Sequence, residues 1–229
     1  MSIVSPNAKP LYDLYVKGSP EKGELGDCPF SHRTMLTLEE KGVPYNKLLL
    51  DESNIPEWVK DVCEGQKQIP FALELETGKW LHDSDKMIPY FEEKFPQKKL
   101  GRPDELPSVG GSLFPAFMGF LQAQGGEQSE KEQALVSQLR EINDALAQSD
   151  GPFLGGKEPD SNDCKLGPQL KHVLIGSKTI KGWTLPSELD KIPGYLAAWE
   201  KRPSWENTYY TEKYVQDGWQ VKMQKMASS

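Results

Sequence analysis

Cysteine is scarce in this sequence. There are 3 in 229 residues, an odd number and too few for a disulfide framework. A reducing compartment is therefore expected, and each thiol has to be weighed as a nucleophile. Positive charge is in deficit, with 27 Lys+Arg against 34 Asp+Glu and a net charge of −7. That balance argues against a nucleic-acid binder, which needs a basic patch to displace phosphate counterions. Long apolar runs are missing: none approaches the ~18 residues of a membrane span, so membrane insertion is not expected. The start, Met1 to Pro6, shows neither a cationic-then-apolar signal peptide nor an Arg-rich leader. The expected location is cytoplasmic, with a plastid open if a leader has been removed. No Cys/His spacing suggests a metal site.

What is present is an alternation of short apolar runs over the first hundred residues. Residues 11–16 (LYDLYV) read as a strand, followed by a Gly/Pro/Glu loop over 18–27. Pro29 suits the first turn of a helix, where its missing N–H is no loss. That helix is expected to run to about Lys41 and to stop at Gly42, Val43 and Pro44. Residues 45–50 form a second strand and residues 56–62 a short helix. Residues 71–75 (FALEL) alternate and turn at Thr77 and Gly78 into a hairpin strand at 79–81. A last helix starts near Asp83 and Ser84, with an apolar stripe of Met87, Ile88, Phe91 and Phe95. The order is β-α-β-α-β-β-α.

Beyond that helix the chain is interrupted by Pro96, Pro103 and Pro107 with Gly101, Gly110 and Gly111. It is therefore divided into residues 1–96, a linker over 97–112, and residues 113–229. The last part is expected to be helical. Leu135, Leu139, Ile142 and Leu146 lie on one helix face. Asp160 is placed as an N-cap with Asp163 three residues on, resembling a capping box. The helix after it buries Leu166 and Leu170. Another carries Leu189, Ile192, Leu196 and Trp199 and ends near Arg202 and Pro203. The fold class is an α/β domain followed by an all-α domain.

The strongest chemical signal is the run Gly26, Asp27, Cys28, Pro29, Phe30, Ser31. Cys28 stands where a loop meets the helix that Pro29 opens. Unpaired N–H groups and the positive end of the helix dipole stabilise an anion there. A thiolate in such a place is activated by a lowered pKa. Ser31 occupies the position of the second cysteine in C-x-x-C redox motifs, so no internal resolving thiol is at hand. An oxidised Cys28 would need an external thiol to reset it. The plainer reading is a cysteine that merely caps a helix.

Residues 25–41 (LGDCPFSHRTMLTLEEK) closely resemble the signature of plant-type glutathione-dependent dehydroascorbate reductases, in the glutathione-transferase superfamily. The resemblance continues at residues 64–70, 80–85 (WLHDSD), 92–96 (EEKFP), 166–172 (LGPQLKH) and 183–186 (WTLP), and at Trp219. It implies a thioredoxin-like N-terminal domain, a helical C-terminal domain and a monomer. It also implies a reaction: Cys28 reduces dehydroascorbate and becomes a sulfenic acid, glutathione condenses with it, and a second glutathione frees the thiolate. Glutathione enters as co-substrate.

The same resemblance assigns supporting roles. Lys17, eleven residues before Cys28, matches a catalytic lysine at the end of the first strand; a solvated surface lysine is the alternative. Asp27 matches a residue important for activity, in orientation or proton transfer, or is a simple loop carboxylate. Ile69 and Pro70 fit a cis-proline position beside the glutathione backbone. Asp83 and Ser84 fit the glutamyl end of glutathione while also capping their helix. Gln66, Lys67 and Gln68 stand where the family has a lysine directly before Val/Ile-Pro, and Lys67 or Gln68 is expected at the glycyl carboxylate. Phe30 and Ser31 are candidates for the dehydroascorbate pocket, with helix packing the alternative for Phe30. His172 and Trp219 match residues near that pocket, with structural roles as the alternative. His32 replaces a common glutamine and is expected to face solvent. Cys63 and Cys164 are expected to be inert. Other readings are an omega- or lambda-type thiol transferase sharing the same residues, a chloride-intracellular-channel-like protein, and a non-enzymatic module of this fold.

Overall fold

The computed structural model describes residues 8–101 and 108–228. The start of the chain, where a leader was looked for, and the middle of the expected linker, residues 102–107, lie outside the described residues. The chain divides into two compact units. One holds Met1–Gly101 together with Lys201–Tyr210, the other Arg102–Glu200 together with Thr211–Ser229. The short return of Lys201–Tyr210 to the first unit had no signal in the sequence pattern.

The first unit is built on strands β1 (Tyr12–Ser19), β2 (Glu24–Leu25), β3 (Tyr45–Leu50), β4 (Phe71–Glu74) and β5 (Trp80–His82). Helices α1 (Pro29–Lys41), α2 (Val59–Val62) and α3 (Ser84–Lys94) alternate with them. β1 is central. It runs parallel to β3 and antiparallel to β4, which pairs antiparallel with β5. β2 was not anticipated; it adds a two-residue antiparallel rung where Gly18 faces Leu25 and Ser19 faces Glu24. The expected short helix over 56–62 is shorter, with a 3-10 turn at Glu52–Asn54 ahead of α2.

The period-2 alternation of β1 decides which side chains face which layer. Tyr12, Leu14 and Val16 join Met35 and Leu38 of α1 and Met87 and Phe91 of α3 in one core. On the other face Tyr15 stacks on Phe71 at 4.5 Å, beside Trp80, Val59 and Cys63. α1 stops where Gly42 takes a left-handed φ of 68°, a conformation that costs glycine least. Apart from β2, the order is the expected β-α-β-α-β-β-α, and the unit is thioredoxin-like.

The second unit is helical: α4 (Leu113–Gln122), α5 (Gln128–Ala147), α6 (Ser161–Lys181), α7 (Lys191–Glu200) and α9 (Glu212–Ala227). The remaining helix, α8 (Pro203–Thr208), lies in the returning segment of the first unit. Leu135, Leu139, Ile142 and Leu146 form the buried stripe of α5. The capping box of α6 is formed in full. Asp160 accepts from the Asp163 N–H at 2.9 Å, and Asp163 accepts in return from the Asp160 N–H at 2.9 Å. Asp163 also takes the N–H groups of Leu154 and Gly155, which ties the preceding loop to the helix start.

Candidate active site

Cys28 is the N-cap of α1, with extended backbone at φ −108° and ψ 110°. Its sulfur accepts from the Ser31 N–H at 3.4 Å, and its carbonyl accepts from the His32 N–H at 3.0 Å. The loop before it is closed against the end of β1. Gly26 donates its N–H to the Lys17 carbonyl at 2.8 Å. A Cβ on Gly26 would stand 2.8 Å from Lys17 Cγ, so only glycine fits this crossing. The Lys17 N–H donates to Ser31 Oγ at 3.3 Å. The strand end, the loop and the first turn of α1 are thus one hydrogen-bonded unit with the sulfur at its centre.

The thiol is 8% exposed and free of any disulfide. Burial pushes it up, while the Ser31 hydrogen bonds, the Lys17 charge and the Phe30 N–H push it down; burial prevails. This corrects the expectation of a lowered pKa. The activating groups are in place, but removing the sulfur from water costs the anion more than they return. Lys17 is also less available than a lone cation. Its ammonium lies 2.9 Å from Asp27 and is shared with Glu52. Burial disfavours the Lys17 cation, yet Asp27 and Glu52 outweigh it and raise its pKa. Burial raises the Asp27 carboxyl in turn, against the pull of Lys17.

A second helix mouth lies in the same unit. Asp83 caps α3, accepting from the Asp85 N–H at 2.9 Å, with a φ of 66° unusual for a non-glycine residue. Ser84, 5% exposed, opens the helix. The peptide bond between Ile69 and Pro70, just ahead of β4, is cis. Gln68 Nε2 lies 2.8 Å from His82 Nδ1, and His82 Nε2 lies 3.4 Å from Glu64. The neighbouring Lys67 pairs with Glu57, and hydrogen bonds from Lys67 and Lys60 lower the Glu57 carboxyl to about 2.

The structure brings Cys28, Lys17, Asp27 and Ser31 into one bonded cluster, and Asp83 and Ser84 to one helix mouth. Phe30, the residue after the proline, is 38% exposed. Ser31 is 1% exposed, its oxygen and N–H both engaged. His172 and Trp219 pair with each other in the helical unit: Trp219 Nε1 donates to His172 Nδ1 at 3.2 Å, and both are buried. His32 does not face solvent as expected. It is 1% exposed, with Trp205 at 4.4 Å and Tyr210 at 5.3 Å between ring centroids. The returning segment that buries it was not visible in the pattern. Cys63 and Cys164 are fully buried, and burial pushes Cys63 up to about 11. Among the described residues no helix is long and apolar enough to cross a membrane. No cluster of three or more metal-ligating side chains occurs among them either.

A thioredoxin-like unit with a capping cysteine, joined to a helical unit, defines a glutathione-transferase fold. Residues 27–94 match the family model described as glutathione S-transferase, N-terminal domain. Over 214 residues the chain is 37% identical to glutathione S-transferase DHAR2 of Arabidopsis thaliana, covering 92% of this chain and 98% of that protein. It is 36% identical over 199 residues to the probable cytosolic glutathione S-transferase DHAR1 of rice, Oryza sativa subsp. japonica, covering 87% and 92% of the two. The crystal structure of Chlamydomonas reinhardtii dehydroascorbate reductase superposes with a TM-score of 0.86 at 34% identity, covering 92% of this chain and 98% of that one. The chain belongs to the dehydroascorbate-reductase family of glutathione S-transferases.

Proposed function

We propose that this protein reduces dehydroascorbate to ascorbate at the expense of glutathione, with Cys28 as the nucleophile. The observation that carries the reading is the sulfur itself. It caps α1, receives the Ser31 N–H, and has the Lys17 charge acting on it, whereas the charge acting on Cys63 is the carboxylate of Glu64. In the first step the Cys28 thiolate, dehydroascorbate and one water give the Cys28 sulfenic acid and the ascorbate monoanion. Sulfur loses two electrons and the substrate gains them. Glutathione then condenses with the sulfenic acid, releasing the water and forming the mixed disulfide. A second glutathione thiolate attacks that disulfide, the Cys28 thiolate leaves, and oxidised glutathione departs.

The residues that would hold glutathione are those of the second helix mouth. The α3 N-terminus and the Ser84 hydroxyl suit the glutamyl carboxylate, and Asp83 its ammonium. Ile69 lies beside the tripeptide backbone, and Gln68 or Lys67 serves the glycyl carboxylate. Dehydroascorbate would lie over Cys28 against Phe30 and Ser31, with Lys17 steadying the developing oxyanion and Asp27 orienting Lys17. The protein is proposed to work as a monomer in the cytoplasm.

The test is steady-state reduction of dehydroascorbate with glutathione, paired with the intact mass of protein quenched during turnover. Turnover with one glutathionyl group mapped to Cys28 is expected. No ascorbate production, alongside brisk release of glutathione from a small mixed disulfide, would replace this reading with a thiol transferase.

A further inference from the structure

Glu52 is a residue that the sequence pattern gave no reason to single out. It meets Lys17 because two strands run the same way. β1 and β3 are parallel, with Lys17 opposite Leu50, so the chain leaves both strands at the same edge of the sheet. The strands approach closely there, and a Cβ on Gly18 would stand 2.8 Å from Leu49 Cδ2. After β3 the chain enters the 3-10 turn Glu52–Asn54. Asp51 caps that turn, accepting from both the N–H and the hydroxyl of Ser53 at 2.8 Å. The turn presents Glu52 to the end of β1, where its carboxylate lies 2.5 Å from the Lys17 ammonium.

Lys17 is thereby held from two sides. On the inner side is Asp27, the residue before Cys28, at 2.9 Å and with 14% of its side chain exposed. On the outer side is Glu52, with 62% of its side chain exposed. The main chain of Lys17 is fixed in the same cluster. Its carbonyl accepts from the Gly26 N–H, and its N–H donates to Ser31 Oγ. The Ser31 N–H in turn donates to the sulfur. One cation thus faces two carboxylates, one next to the nucleophile and one toward water. Among the described residues Lys17 is the only ion-pair partner of Glu52. An ion pair so open to water adds little to stability. Its consequence lies in where it places the Lys17 charge.

We propose that Glu52 is a positioning residue of the Cys28 centre: it holds the Lys17 ammonium from the solvent side and limits the share of that charge acting on the sulfur. Lys17 favours the thiolate. A carboxylate that draws the cation outward therefore keeps more of the resting thiol protonated. This rests on the reading of Cys28 as the nucleophile, but not on the identity of the oxidised substrate.

The test is the pH dependence of Cys28 alkylation by iodoacetamide, mapped by mass spectrometry, in the full chain without glutathione or dehydroascorbate. Glu52→Gln keeps the shape and removes the charge. The midpoint should fall by about half a pKa unit, which raises the thiolate fraction at neutral pH about threefold. Glu52→Lys should lower the midpoint further. In a Lys17→Met background Glu52→Gln should leave the midpoint where that background sets it, because no ammonium is left to release. An unmoved or raised midpoint in Glu52→Gln overturns the proposal even where dehydroascorbate turnover is intact. An equal fall in the Lys17→Met background also overturns it, since Glu52 would then act on the sulfur directly. The expected shifts in a protein without dehydroascorbate turnover would uphold it and sink the substrate assignment instead.

Discussion

The thioredoxin-like unit contains two helix mouths that differ in what stands in the cap. α1 begins with Cys28 in extended backbone, then Pro29, and has no acidic residue in its first turn. α3 begins with Asp83 at a positive φ and has Asp85 in its first turn. Each cap accepts from backbone, the Ser31 N–H at 3.4 Å for sulfur and the Asp85 N–H at 2.9 Å for oxygen. The amide scaffolding is the same; the capping atom and its hydration are not. The sulfur is shut away from water, so its charge is costly and its electrons are reactive. Asp83 remains half-exposed, so water still reaches its carboxylate. One mouth is suited to bond making and the other to holding a charged ligand. Arg33 of α1 reaches Asp85 of α3 at 2.8 Å, which keeps the two mouths in register.

The sharpest way to break this division is to remove the sulfur. Cys28→Ser should abolish turnover while leaving glutathione affinity, measured by calorimetry, within about twofold of the parent. A Cys28→Ser variant that still reduces dehydroascorbate would mean that the α1 mouth is not the chemical one. A smaller effect is expected at the other mouth. Asp83→Asn keeps an oxygen to accept the Asp85 N–H but loses the charge. The KM for glutathione should rise about tenfold, the worth of ~1.4 kcal/mol. Cys28 alkylation and the melting temperature should not move. A fall in melting temperature with an unchanged KM would reduce Asp83 to a helix cap.

The two mouths were also unequally legible in the sequence. Pro29 and Gly42 announced both ends of α1, because one lacks an N–H and the other tolerates a left-handed φ. Asp83 and Ser84 announced α3 in the same way. Such signals are local, and local chemistry survives in a string of letters. The two-residue strand β2 carries no period to detect. The burial of His32 is set by residues about 170 positions away, and neighbouring sequence cannot report it. The raised thiol was missed for the same reason. A helix start is visible in sequence, but the depth at which the fold places it is not.

The smallest effect expected at the α1 mouth concerns Lys17. Because burial raises the Cys28 thiol, the protonated form dominates at neutral pH and the thiolate fraction grows as pH rises. The kcat/KM for dehydroascorbate should therefore climb from neutral into the alkaline range. Lys17→Met withdraws a cation that favours the thiolate and leaves the Asp27 carboxyl, already raised by burial, without its partner. Loss of that cation pushes the thiol further up, so the rising limb should shift to higher pH. The loss at neutral pH should be only about threefold, the scale of a screened, shared charge pair. At the alkaline plateau the variant should recover the parent rate if Lys17 acts only on the sulfur. A deficit that persists on the plateau would place the ammonium on the substrate oxyanion as well, which makes the pH profile, rather than a single rate, the measurement that separates its two roles.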